Sequence, residues 1–113
     1  MLNQVVLAGR LVNEPVMEEK ESRKVVTITV AVPRSYKNLD GTYDTDFIKC
    51  RLWSSIADNC YEYCKKGDIV GIKGRIQTTT IEKESGEKEY SMEIICEKLS
   101  FLSTRKTGEY DEV

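Results

Sequence analysis

The sequence predicts an all-β domain, a small barrel of five strands with one short helix between the third and fourth strands. Three observations carry this expectation. Short segments alternate apolar and polar residues with period two, turn residues separate those segments, and a helical period of 3.6 appears once, over residues 56–64. A chain of 113 residues fits a single domain that can bury most of its apolar surface without disulfides or metal. At 40% hydrophobic and 32% charged residues, with two prolines and no repeat or low-complexity tract, the composition excludes a disordered chain.

Gln4 to Val12 and Lys24 to Val32 are rich in β-branched residues and supply the first two strands. Between them NEPVMEEKES is polar, contains a proline and reads as a connection. The segment RSYKNLDGTYDT carries Asp40-Gly41, a hairpin dipeptide because it accommodates positive φ, and leads into a third strand, TDFIKCRLW, residues 45–53. The two faces of that strand differ. Ile48, Cys50 and Leu52 are apolar and suit a core, whereas Phe47, Lys49, Arg51 and Trp53 put two aromatic rings and two cations on the other face. Beyond Trp53, Ile56, Cys60, Tyr63 and Cys64 fall at i, i+4, i+7 and i+8, one face of an amphipathic helix. Ser55 and Asp58 have the spacing of a capping box at its start, and Gly67 has the place of a C′ stop after Lys65-Lys66. A fourth strand follows from Asp68 to about Ile81, then a hairpin tip at Ser85-Gly86, then a fifth strand from about Lys88 to Leu102.

Five strands with a helix between the third and fourth is the order of an OB-fold, a Greek-key barrel whose surface and hairpin loops bind oligonucleotides. Order alone does not fix pairing, and another small β-barrel or an α+β sandwich shares the same string.

The net charge of −2 excludes a protein that coats nucleic acid through bulk charge, but it does not exclude a local basic groove. Acidic residues concentrate in EEKE at 18–21, EKESGEKE at 82–89 and EYDEV at the end, which leaves the intervening strands comparatively basic. The N-terminus MLNQVVLAGRLV has neither a charged leader nor a cleavage site, and no apolar run reaches the roughly 18 residues of a spanning helix, so a cytoplasmic protein is expected. Cys50, Cys60, Cys64 and Cys96 each sit in an apolar pattern and read as reduced core residues. A zinc site would need scattered cysteines and has no histidine to draw on, so no metal and no cofactor are expected.

Taken together, MLNQVVLAGRL, the strand DFIKCRLW, the helix ending in KKG, IVGIKGRIQT and the hairpin around SGEKEYSMEII resemble the bacterial single-stranded DNA-binding proteins over residues 1–104. The resemblance implies an OB-fold domain over 1–104, a homotetramer built as a dimer of dimers, and binding of single-stranded DNA without strong sequence preference during replication, recombination and repair, in a nucleoid-associated cytoplasmic setting. The residues agree with it: single-strand binders need cations for phosphates and flat side chains for unstacked bases. Carried over by position, Tyr36, Phe47 and Trp53 match base-stacking residues. Ile81 matches a fourth such position, where its lack of a π-face puts the role in doubt. Arg10, Arg34, Lys49, Arg51, Lys66, Lys73 and Arg75 match the phosphate-contacting cations, with Lys73 and Arg75 two apart and so on one face. Just before Ile81 the chain has Gln77, Thr78, Thr79 and Thr80 where relatives place further cations, which predicts weaker binding or a shorter site there.

Residues 105–113, RKTGEYDEV, form a short polar and acidic tail in which an acidic tip for recruiting replication and repair proteins is at most rudimentary. Two other classes compete. An OB-fold primosome-type or protein-interaction module would bind nucleic acid only secondarily. A nuclease would need a metal-binding carboxylate cluster, but Asp40, Asp44 and Asp46 read as turn residues and no histidine serves as base, so no enzyme is expected.

Overall fold

The computed structural model describes residues 1–103; the tail at 105–113 lies outside the described residues. Six strands and one helix run in the order β1 (Val5–Leu11), β2 (Val16–Lys20), β3 (Arg23–Pro33), β4 (Thr45–Trp53), α1 (Ser54–Tyr63), β5 (Ile69–Glu82) and β6 (Lys88–Ser103). Neighbouring strands follow the order β1-β5-β6-β4-β3-β2, and a further pairing of β1 with β3, at Arg10↔Ala31 and Leu11↔Val30, closes five of them into a ring. Only one junction in that ring is parallel. It is the seam between β4 and β6, at Cys50↔Ile94 and Arg51↔Ile95.

Alternation fills the ring. Leu11, Val26, Ile28, Val30, Cys50, Leu52, Val70, Ile72, Ile94 and Cys96 point inward and are buried, and α1 adds Ala57, Cys60 and Cys64 to the same cluster. All four cysteines are free and buried, the state expected of core thiols. Burial pushes the Cys50 thiol up to about 12 and the Cys96 thiol up to about 11, so both stay protonated and unreactive near neutral pH.

Both anticipated hairpin tips form, and they are built alike. Gly41 N donates to Asn38 O at 3.0 Å, Gly86 N donates to Lys83 O at 2.9 Å, and each glycine has φ of +87°. These are three-residue loops in which a glycine takes the left-handed position. A different constraint applies to Gly74. A Cβ there would lie 2.0 Å from the Ile95 carbonyl oxygen, because β5 and β6 cross closely where their register slips between Lys73 and Gly74.

Four expectations are corrected. The segment NEPVMEEKES is not a plain connection: Val16–Lys20 is a strand paired to β3 from Val16↔Thr27 to Lys20↔Arg23, so the described chain has six strands rather than five. Its two-residue turn, Glu21-Ser22, has positive φ at both positions, the geometry of a type I′ hairpin made without the usual Asn or Gly. The capping box does not form. Trp53 is the N-cap residue, in extended conformation and with no side-chain cap, and Ser54 enters the helix at φ +56°. Gly67 is not the helix stop, since the helix ends at Tyr63 with Cys64 as its extended C-cap; Gly67 instead occupies the left-handed corner of a Lys65–Asp68 turn, closed by Asp68 N donating to Lys65 O at 3.0 Å. Tyr63, expected on the buried helix face, is exposed and meets Phe101 edge-on.

Candidate nucleic-acid interface

The antiparallel register of β3 and β4 sets Phe47 opposite Ala31, Lys49 opposite Thr29, Arg51 opposite Thr27 and Trp53 opposite Val25. Directly opposed residues share a face, so the two rings and two cations of β4 stand above small or β-branched neighbours. On either side rise β2, through Val16 and Glu18, and β6, through Ser91, Met92 and Glu93; with Asn13, Thr27, Thr29, Lys49 and Arg51 they bound a groove of about 550 Å³. A slot of about 200 Å³ continues from it past Phe47, Ile48, Lys49, Met92, Glu93 and Ile94. At the opposite end a depression of about 470 Å³ is lined by Arg23, Trp53, Ile56, Arg75, Gln77, Ile95, Cys96 and Glu97.

The rings differ in how free they are. Phe47 is 67% exposed, whereas Trp53 is half-buried and has the guanidinium carbon of Arg23 5.0 Å from its ring centroid, a cation–π contact over one face. Tyr36 is exposed in the β3–β4 loop, and Ile81 is exposed near the tip of the β5–β6 hairpin, opposite Glu89.

Most of the arginines already have partners. Arg34 forks onto Asp46 at 2.9–3.3 Å and reaches Asp44 at 3.5 Å; the hydrogen bond raises the guanidinium pKa further and lowers that of the Asp46 carboxyl. Arg51 Nε pairs with Glu93 Oε2 at 2.9 Å, and Arg75 Nε with Glu97 Oε2 at 3.5 Å. Arg10 donates to the carbonyl oxygen of Gly67 at 2.7 Å, which ties β1 to the turn that carries Lys66. Among the described residues, Lys49, Lys66 and Lys73 form no ion pair.

The fold brings Lys49 and Arg51 into one groove with Phe47 on its slot, and puts Trp53 and Arg75 into a separate depression. It does not bring Lys73 there. Both Lys73 and Arg75 take outward positions on β5, but Lys73 lines a separate cavity of about 470 Å³ on the outer face of β1, β5 and β6, with Val6, Ala8, Gly71, Lys98 and Leu102. Arg10 and Lys66 sit at the end of β1 and in the α1–β5 turn, away from the lining of the groove.

Three groove residues escaped the sequence reading. Arg23 lies two residues before Val25, the partner of Trp53, so only the strand register places it over the ring. Met92 has the inward parity of Ile94 yet is 68% exposed. The available signal was strand length: β5 and β6 run for 14 and 16 residues against 9 for β4, so their outer halves outrun the barrel and expose both faces. Glu93 was passed over because an isolated acid on a strand looks like solvated surface.

With this geometry in view, a model of the single-strand binding protein family matches residues 2–102. The chain belongs to the single-strand binding protein family. Among relatives in this family, it is 39% identical to single-stranded DNA-binding protein B of Bacillus subtilis over 106 residues, 93% of this chain and 94% of that protein. It is likewise 39% identical to single-stranded DNA-binding protein 1 of Lactococcus lactis over 108 residues, 95% of this chain and 72% of the relative. The solved Plasmodium falciparum SSB complex with ssDNA superposes with a TM-score of 0.78 at 24% identity, covering 91% of this chain and 97% of that one. At that identity the likeness speaks to fold, and the ring of strands with its single helix is the OB-fold barrel that the element order suggested.

Proposed function

We propose that this member of the family binds single-stranded DNA without strong sequence preference and protects it during replication, recombination and repair. One observation carries the reading: the outward face of β4 holds Phe47, Lys49, Arg51 and Trp53 in one row, with Lys49 and Arg51 lining the groove, Phe47 its slot and Trp53 a depression farther along the strand. Phe47, Trp53 and Tyr36 stack unpaired bases, each contributing roughly 1–3 kcal/mol, and stacking tolerates any base because every base has a π-face. Lys49 and Arg51 take phosphates in the groove and Arg75 takes them beside Trp53; Arg34, Arg10, Lys66 and Lys73 meet the strand as it wraps beyond. Ile81 supplies at most an apolar contact. The proposed activity is binding rather than catalysis, in the cytoplasm. Among the described residues no helix is long and apolar enough to cross a membrane.

Self-assembly into a homotetramer belongs to the same proposal. Two features support it: the Val5–Gly9 part of β1 pairs on one side only, with β5, and the adjoining outer face exposes Val6 and Leu102 at 73% and 56%.

Trp53, the sole tryptophan, is the reporter. Oligo-dT is expected to quench its fluorescence, with affinity that falls as salt rises. Unchanged emission and no mobility shift at low salt refute DNA binding and favour a protein-interaction module. Native mass measurement reports the assembly, and a monomer at working concentration refutes the tetramer.

A further inference from the structure

The basic side of the groove is not a free positive track. Arg51, at its centre, is held by Glu93 at 2.9 Å, with 32% and 21% of the two side chains exposed, and a second carboxylate, Glu18, lines the same groove. The placement follows from the seam. Because β6 runs parallel to β4 with Ile95 beside Arg51, Glu93 and Glu97 fall two residues to either side of Ile95, facing the groove and the Trp53 depression respectively. Each pairs with the arginine nearest it, Glu93 with Arg51 and Glu97 with Arg75, the latter at a looser 3.5 Å and more exposed.

We propose that Glu93 is a built-in competitor for the DNA phosphate, occupying Arg51 in the free protein and thereby setting a lower affinity and a shallower salt dependence than the count of groove cations implies. This rests on the reading of the groove as a single-stranded DNA site. A phosphate and a carboxylate want the same guanidinium donors. While Glu93 stays paired, Arg51 and Glu93 together carry no net charge, so Arg51 neutralises no phosphate and releases no counterion. An approaching phosphate must displace the carboxylate or accept its repulsion. Glu93 is a positioning and tuning residue that acts through Arg51, without touching a base itself.

The test is Glu93→Gln, which keeps the shape and the hydrogen-bonding capacity while removing the charge. Oligo-dT is titrated against the full chain at a series of NaCl concentrations with Trp53 emission as readout. E93Q is expected to bind several-fold tighter at low salt, with a log K against log salt slope steeper by about 0.7, the single-strand value per added phosphate contact. Its advantage then shrinks about fivefold for each tenfold rise in salt. In a background of Arg51→Met the same substitution relieves only the repulsion between Glu93 and phosphate, so a smaller gain in affinity and no steepening of the slope are expected. Glu93→Ala repeats the comparison without the amide. Equal or weaker binding by both variants with an unchanged slope overturns the inference while leaving the DNA reading intact, as does an undiminished gain in the R51M background. A wild-type chain that does not bind oligo-dT overturns the reading and this inference with it.

Discussion

Truncation of Phe47 to alanine separates a DNA-stacking ring from a structural one. The ring is 67% exposed, so only about a third of it is removed from solvent by the fold, and its direct cross-strand neighbour is Ala31, which offers little to pack against. Full burial of a phenylalanine side chain stabilises by roughly 1.5–3 kcal/mol, so the fold loses about 0.5–1 kcal/mol on truncation, a melting shift of a few degrees. A base stacked on the ring contributes roughly 1–3 kcal/mol, which at about 1.4 kcal/mol per tenfold is a weakening of about 5- to 150-fold. The two effects are read from one sample, since F47A keeps Trp53 as the fluorescent reporter for an oligo-dT titration and thermal unfolding gives the stability. An affinity within twofold of wild type, accompanied by a stability loss of about 3 kcal/mol, would refute the reasoning and assign the ring to packing or to a subunit contact.

Gly74→Ala drives a methyl into the Ile95 carbonyl at a backbone crossing that cannot yield, so a destabilisation of at least about 3 kcal/mol is expected in chemical unfolding. Gly71→Ala is the control, because its nearest neighbour is the Leu102 side chain at 3.5 Å and a loss under about 1 kcal/mol is expected. The buried thiols of Cys50 and Cys96, raised above an ordinary value of 9.0, remain protonated where the unfolded chain's thiols ionise. Their contribution is therefore complete below about pH 9 and is lost as pH climbs toward 11–12; alkaline unfolding that is equally steep in a Cys50→Ala, Cys96→Ala double variant would contradict this.

What the sequence made legible was whatever depends on parity and local turn chemistry. Ile48, Cys50 and Leu52 face inward and Phe47, Lys49, Arg51 and Trp53 outward because a strand has no other way to lay them out, and Gly41 and Gly86 mark their turns because few other residues sit comfortably at φ +87°. The β2–β3 hairpin escaped since Glu21-Ser22 adopts its turn without the residues that normally announce one. The start of α1 escaped for a related reason: Trp53 caps it by backbone conformation alone, so the Ser55 and Asp58 spacing carried no information. The electrostatics of the groove lay beyond local reading altogether. Arg51 meets Glu93 and Arg23 covers Trp53 only once pairing fixes which strands are neighbours, and Lys73 parts from Arg75 where the register of β5 against β6 slips.

Ring closure through β1 also dictates an order of assembly. Strands β2, β3 and β4 lie next to one another in sequence as well as in the sheet, so this meander forms from short-range contacts. Most of the first strand must wait, because apart from the short contact of Arg10 and Leu11 with Ala31 and Val30 its partners, from Val5↔Gly74 to Arg10↔Ile69, are made some sixty residues later. Contacts that distant in sequence are slow, since the entropy of closing the loop is lost before any pairing energy is recovered. On the ribosome the Val5–Gly9 stretch is thus made well before its partner, and until β5 emerges its open edges are available to another chain.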